Sequence, residues 1–458
     1  MATYIYSAQS VSKAISLDPD AGVYKITPAA GSLVLLGTAC NDVLQGGAAP
    51  DVIVGGGGND TASGGGGNDF VSGGAGNDSL SGGNGNDTLS GGPGNDTLDG
   101  GPGTDLLLGG DGNDVLHDHD ISEAPDTLDG GRGNDTYDIR ADPFQDHRPV
   151  LRDAGGIDTV LTNHDHVLAP GFENLTLFEA VNGTGNNLNN VIRTNTNEPH
   201  AYFIDGADGN DTLLGGADND TFQFAAGSGN YGRDVVDGGD GFDTLQFSGG
   251  RSAVVVDMRT GGATGGGTGG SGHVSFGDIE RVEGTRFNDR LTANDSGTQL
   301  LGGQGSDTLR GGAADDNLSG DGTTTGFNLG SGADRLSGRG GNDFLEGGAG
   351  SDSFVFDVAP GDANADTVAD FVSGADRLEL DDAVHANIGG RGRFAADDDR
   401  FFAGDGATSG QDAQDRVAYD TSTGNLYYDA DGSGSGASQL IATFQGNPAI
   451  AATDIVVI

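Results

Sequence analysis

The chain has 458 residues, of which 88 are Gly, none is Trp and 6% are aromatic, so a conventional large hydrophobic core cannot be its main support. It carries 69 acidic and 21 basic residues, a net charge of −48, and its only lysines are Lys13 and Lys25; this excludes nucleic acid and anionic membranes, which need a cationic face. Its one cysteine, Cys40, rules out an intramolecular disulfide, and a polyanion of this strength must either stay unfolded or take up cations.

In chain order, the first 36 residues show no basic start followed by an apolar stretch and a cleavage site. The run Leu33-Val34-Leu35-Leu36 is too short to span a bilayer. The expectation is a protein with no membrane span and no cleaved N-terminal signal peptide. Tyr4-Ile5-Tyr6 and Val23-Tyr24-Lys25-Ile26 are expected as strands that cap the chain from residue 37 onward, covering an edge that would otherwise invite aggregation.

From Gly37 to His117 the chain reads in nine-residue units without a gap, as in GGAGNDSLS, GGNGNDTLS and GGPGNDTLD from Gly73 to Asp99. The sixth position is Asp in every unit: Asp42, Asp51, Asp60, Asp69, Asp78, Asp87, Asp96, Asp105 and Asp114. The eighth is apolar throughout, from Leu44 and Ile53 to Leu107 and Leu116. After a three-residue insertion two more units follow, with Asp126/Leu128 and Asp135/Tyr137. A second block, Gly185 to Phe247, starts poorly with Asn190 and Tyr202 in the sixth position, then has Asp211, Asp220, Asp234 and Asp243 around an insertion at Ala225 to Ser228. A third block runs from Gly284 to Val355 with Asp289, Thr298, Asp307, Asp316, Thr325, Asp334, Asp343 and Asp352 in the sixth position, and Leu or Phe in the eighth.

The period has a physical meaning. Glycine lets the backbone turn tightly with φ > 0, so GGxGxD makes a six-residue turn whose carbonyls can point inward. The next three residues are β-formers with one apolar side chain facing in. Two units then make one coil, and residues 18 apart stack: Asp42 on Asp60, Asp51 on Asp69, and onward. Carboxylates stacked in this way repel when empty. With carbonyls around them they suit a hard, oxygen-seeking cation of flexible coordination, calcium rather than magnesium. Zinc is disfavoured because the turns offer neither Cys nor His.

This pattern resembles the RTX (repeats-in-toxin) family of calcium-binding nonapeptide repeats, closely over 37–138 and 284–355 and partly over 185–247. The resemblance implies an all-β fold, a parallel β-roll in three blocks with β-rich connectors and a β-rich C-terminal cap. It implies several Ca²⁺ ions between turns two units apart, held by turn carbonyls and by the aspartates at 42, 51, 60, 69, 78, 87, 96, 105, 114, 126, 135, 211, 220, 234, 243, 289, 307, 316, 334, 343 and 352. Sites from Asp42 to Asp114 are expected to fill best, and those beside Thr298 and Thr325 to be weak or empty. The tail from Phe354, with Asp366-TVADFVSGADRLEL, Leu426-YYDADGSG and Asp454-IVVI, resembles the C-terminal region of type I secretion substrates. That implies the type I apparatus as a partner during export and an extracellular or cell-surface destination. The expected organisation is a cap at 1–36, rolls at 37–138, 185–247 and 284–356, connectors at 139–184 and 248–283, and a cap with secretion region at 357–458.

Other features read as scaffold. His117-Asp118-His119 and His164-Asp165-His166 are short of the ligands a zinc site needs and read as solvated loop residues. Asp429-Ala-Asp431-Gly432 starts like an EF-hand loop, but Leu440 stands where the twelfth-position Glu belongs, and the flanks alternate like a hairpin. HExxH is absent, which excludes a serralysin-type protease; GxSxG and GxxxxGK are absent too. The expectation is therefore a non-enzymatic, secreted, calcium-folded protein of the structural, matrix, adhesin or surface-layer kind, with self-assembly or cell-surface polysaccharide as its partner classes. An extracellular enzyme on a β-roll scaffold and a calcium-dependent toxin are the alternatives.

Overall fold

The computed structural model describes residues 31–118, 125–140, 148–179, 181–195, 200–224, 231–322, 332–433 and 436–458, with the backbone alone of three earlier strands, Tyr4–Ala8, Ala14–Ser16 and Tyr24–Pro28. The chain is nearly all β and divides into two compact units, Met1–Gly206 and Ala207–Ile458.

In the N-terminal unit successive nonapeptides alternate between two parallel sheets. One holds eight strands, from Ala14–Ser16 and Val34–Leu36 through Val52–Gly57, Phe70–Ala75, Thr88–Pro93, Leu106–Asp111 and Thr127–Arg132 to Val150–Arg152. The other runs from Val43–Gln45 through Thr61–Gly66, Ser79–Asn84, Thr97–Asp99, Val115–His117 and Thr136–Asp138 to Thr159–Thr162, Asn174–Leu177 and Val191–Thr194. Three-residue strands suffice because each needs to bury only its central side chain. Leu44, Ala62, Leu80, Leu98, Leu116, Tyr137, Val160, Leu175 and Ile192 form one buried column, each directly above the next. Each fully buried leucine contributes about 1.5–3 kcal/mol, and there is one such side chain per nine residues. The segment expected as a connector, 139–184, adds Val150–Arg152, Thr159–Thr162 and Asn174–Leu177 to these same ladders.

In the C-terminal unit the same alternation holds, with two departures. Val254–Asp257, Gly262–Gly265 and His273–Gly277 form an antiparallel piece set into a parallel ladder. Near it, Phe224 packs against Phe247 and Tyr231, with ring centroids 5.0 and 5.1 Å away. At the chain's end Arg377–Leu380 and Ile455–Val457 continue one ladder, while Asp366–Val368 and Gln439–Phe444 continue the other. Gln439–Phe444 then pairs antiparallel with Asn425–Tyr428, which pairs antiparallel with Val417–Asp420. Phe371 lies 6.1 Å from Phe354 and 5.4 Å from Phe444, so this end closes on a cluster of aromatic rings where the roll itself has one inward apolar side chain per rung. Among the described residues no helix is long and apolar enough to cross a membrane.

Candidate metal centre

The turns are built by glycines with different duties. In Gly73-Gly74-Ala75-Gly76-Asn77-Asp78 the second and fourth positions, Gly74 and Gly76, have φ of 112° and 129°, a region that side chains rarely adopt. Gly73 is needed for space instead: a Cβ there would collide with Oδ2 of Asp78. The fifth-position asparagines, which sequence reasoning passed over, tie the turns together on the outside. Asn59, Asn77, Asn95 and Asn113 each donate a backbone N–H to the Oδ1 of the asparagine 18 residues before, at 2.8–3.0 Å. Their signal in the sequence was the Asn that recurs just before Asp42, Asp60, Asp69, Asp78, Asp87, Asp96 and Asp114.

The sixth-position aspartates form ladders inside. All 21 expected aspartates are at most 4% exposed. In each coil the backbone N–H of one donates to Oδ1 of the next: Asp42 to Asp60 at 2.8 Å, and Asp60 to Asp78, Asp78 to Asp96 and Asp96 to Asp114 at 2.7 Å. The companion ladder runs from Asp51 through Asp69, Asp87 and Asp105 to Asp126, each step at 2.7 Å. One oxygen is thus spent on the backbone. The other, Oδ2, is buried and unpartnered in Asp60, Asp69, Asp78, Asp87, Asp96, Asp114, Asp307, Asp334 and Asp343. It points beside a turn glycine. A Cβ on Gly82, for example, would meet both Oδ2 of Asp87 and the carbonyl oxygen of Gly100, one coil on. Carboxylate and carbonyl oxygens converge on a space that only glycine leaves open, which is a donor set for a hard divalent cation.

The electrostatics agree. Burial, with the next carboxylate in the ladder adding to it, pushes Asp60 up to about 6 and Asp114 up to about 7. In the C-terminal unit burial pushes Asp307 up to about 8 and Asp334 to about 7. Backbone N–H donors lower these values but do not outweigh the desolvation. A cation in the slots would offset the desolvation and hold the carboxylates ionised.

The ladders differ from the expectation in spacing. Stacking 18 apart holds from Asp42 to Asp114, but Asp105 and Asp114 meet Asp126 and Asp135 at a separation of 21, and Asp211 and Asp220 meet Asp234 and Asp243 at 23. In the third block Asp307 donates to Asp334 and Asp316 to Asp343, each 27 residues on. Fixed 18-residue stacking would have set Asp307 against Thr325 and Asp316 against Asp334. The coil takes nine extra residues and keeps carboxylate on carboxylate. Thr325 and Phe327 lie outside the described residues, as does His119. Asp289, Asp307, Asp334 and Asp352 now form one ladder, and Thr298, Asp316 and Asp343 the other. Thr298 keeps the ladder bond to Asp316 at 2.6 Å and donates its hydroxyl to Asn294. Asn190 receives Asn186 N–H on Oδ1 and gives its amide protons to the carbonyls of Phe172 and Glu173, filling a slot with its own donors. Tyr202 is buried in its slot.

The ladders also extend further than expected. Asp135 donates to Asp158, and Asp158 to the carboxylate of Glu173 at 3.0 Å. Asp243 donates to Glu280, Asp343 to Asp366 and Asp352 to Asp376. The signal was present: each of these acids stands two residues before an inward apolar side chain, as in Asp158-Thr-Val160 and Glu280-Arg-Val282. The leading Gly-Gly pair of the unit had gone. The remaining candidates are taken up locally. His117 pairs with Asp138 at 3.5 Å, Asp165 accepts the backbone N–H of Asn182, and Asp429 accepts those of Gly410 and Asp431.

Against known families, the one described as RTX calcium-binding nonapeptide repeat (4 copies) matches residues 36–71, 45–80, 63–98, 81–116, 123–138 and 203–229. Peptidase M10 serralysin C terminal matches residues 234–457. The chain is an RTX repeat protein. Its β-roll is the RTX roll, its ion is calcium, and its repeats with a serralysin-type C-terminal region mark it as a secreted member of the class. No curated protein matches this RTX chain. Among solved structures, the extracellular lipase LipA from Serratia marcescens matches at 16% identity and a TM-score of 0.15, over 60% of this chain and 40% of that one.

Proposed function

We propose that this RTX protein is a calcium-folded scaffold that leaves the cell by the type I route and acts outside it as a structural, matrix, adhesin or surface-layer component, without enzymatic activity of its own. The ladder aspartates named above hold the calcium through Oδ2, with turn carbonyls completing each site. The observation that carries this is the row of buried carboxylates whose second oxygens have no partner. A fold that buries so many like charges is not stable with the slots empty, and becomes so when they fill. Seven Asp–Asp pairs lie 18 apart between Asp42 and Asp114; each, filled at tenfold its dissociation constant, contributes about 1.4 kcal/mol, and together about 10 kcal/mol, the stability of a whole domain. Extracellular modules bind calcium at about 10⁻⁴–10⁻³ M, so such slots stay empty in the cytoplasm and fill after export.

The surface role is supported by Leu36, Val52 and Phe70, which stand exposed on the outer face of three successive strands of one sheet. Fractionating cells with and without chelator tests it. Retention on the surface or ordered self-assembly in calcium, released by chelator, is the expected result. Protein that stays monomeric and free in calcium, or that turns over a peptide, ester or polysaccharide, contradicts the scaffold role.

A further inference from the structure

Where the matched repeat at 123–138 gives way to a segment matched by neither family, up to residue 203, lies a cluster unlike the regular turns. Asp135, Asp153 and Asp158 each offer one carboxylate oxygen, and these oxygens all lie within 4.8 Å of one another. Asp135 and Asp158 are successive rungs of one ladder, 1% and 0% exposed. Asp153 is not a rung. It comes from the turn Asp153-Ala-Gly-Gly-Ile-Asp158 and stands five residues before the ladder acid, where a regular unit has its first glycine. Oδ2 of Asp135, Oδ1 of Asp153 and Oδ2 of Asp158 are all buried and without a hydrogen-bond partner.

The turn is held in place from below. Tyr137 occupies an inward slot, donates its hydroxyl to the carbonyl of Arg152 at 2.6 Å and accepts Gly130 N–H at 2.8 Å. The residue fixed in this way immediately precedes Asp153. The other oxygen of Asp153 accepts Gly155 N–H at 2.5 Å, which sets its rotamer. Three carboxylates are therefore aimed at one point by neighbours that do not themselves bind the ion.

We propose that Asp135, Asp153 and Asp158 form a dedicated calcium site at the end of the first repeat block, tighter than the two-carboxylate turns, which clamps the last strand of the eight-stranded sheet. The spread of the oxygens is what a cation with bonds of about 2.3–2.6 Å can bridge, and affinity in oxygen-donor sites rises with the number of charged ligands. Arg152, beside Asp153, ends that strand, Val150–Arg152, so the ion ties the sheet's edge to the first turn of the chain that leaves it. The inference rests on the proposal that ladder carboxylates hold calcium.

The test uses full-length protein stripped with chelator and titrated with Ca²⁺ by calorimetry and with Tb³⁺ by luminescence. Wild type should show one ion bound roughly tenfold or more tighter than the rest. D153N should lose that ion and keep the weaker class, while D96N, in the regular ladder, should keep the tight ion and lose part of the weaker class. A tight class unchanged in D153N, or no separate tight class in wild type, overturns the site. If wild type binds no calcium at all, it is the wider proposal for the ladders that fails.

Discussion

The stretch from Asp42 to Asp114 and the stretch from Asp289 to Asp376 build the same ladder by different means. The first repeats strictly: each aspartate meets the one 18 residues on, and burial raises Asp60 to about 6 and Asp114 to about 7. In the second, steps of 18, 27 and 24 residues alternate, the slot carboxylates rise as far as about 8, and aromatic rings close the end. What the two share is an aspartate on an aspartate, with a glycine making room beside it. Spacing along the chain is free to vary, and the carboxylate that accepts the backbone N–H of the rung before it is not, even where that rung is Thr298.

The sharpest way to break the first region is to fill a cradle. A Cβ on Gly91 meets Oδ2 of Asp96 and, at 2.7 Å, the carbonyl of Gly109. Gly91→Val should cost about 3 kcal/mol or more and remove calcium from the neighbouring turns, read as a lower midpoint in a calcium-dependent melt. Next is the core. Leu89 in the first region and Leu336 in the second are both fully buried. Replacing either with Ala should cost about 2–5 kcal/mol, and Leu336→Ala should sit at the low end because the aromatic closure stabilises its unit independently.

These predictions mark what the sequence made legible. The glycine–aspartate period alone was enough to infer the roll, its inward column and the ladder carboxylates, because each position has one physical duty. The pairings at 21, 23 and 27 were hidden, since an insertion is visible in the sequence but the partner that it restores is not. Glu173, Glu280, Asp366 and Asp376 were hidden because their turns lack the leading Gly-Gly pair that marks the repeat. Their acid-x-apolar triplet carried the same information. Asp153 had no signal at all: only folding brings a glycine-slot residue against Asp135 and Asp158.

A third test separates the regions by pH. In chelator, the folded-state values of about 6 for Asp60 and about 8 for Asp307 lie above the ordinary 3.8. Raised values mean that the folded chain binds protons more tightly than the unfolded one, so this stabilisation is complete below about pH 4 and is lost as pH rises through 6 to 8. The metal-free roll should be most ordered in mild acid, and the first region should loosen at lower pH than the second, as hydrogen exchange of the two would show. In calcium the sign reverses: protons compete for the same oxygens, and the half-saturating calcium concentration should fall between pH 6 and pH 8. The smallest effect belongs to spacing. Excising the nine residues from Thr323 to Ser331 restores an 18-residue step between Asp307 and Asp334, and should leave calcium stoichiometry unchanged and stability within about 1 kcal/mol.

The central claim is that calcium in the carboxylate ladders is what folds this chain. Far-ultraviolet circular dichroism of the chelator-stripped protein at pH 7.5, followed through a calcium titration, tests it most directly. The account predicts a disordered spectrum without the ion and a cooperative rise of β signal as calcium reaches about 10⁻⁴–10⁻³ M. A spectrum already rich in β structure in chelator, and unchanged by calcium, would contradict it.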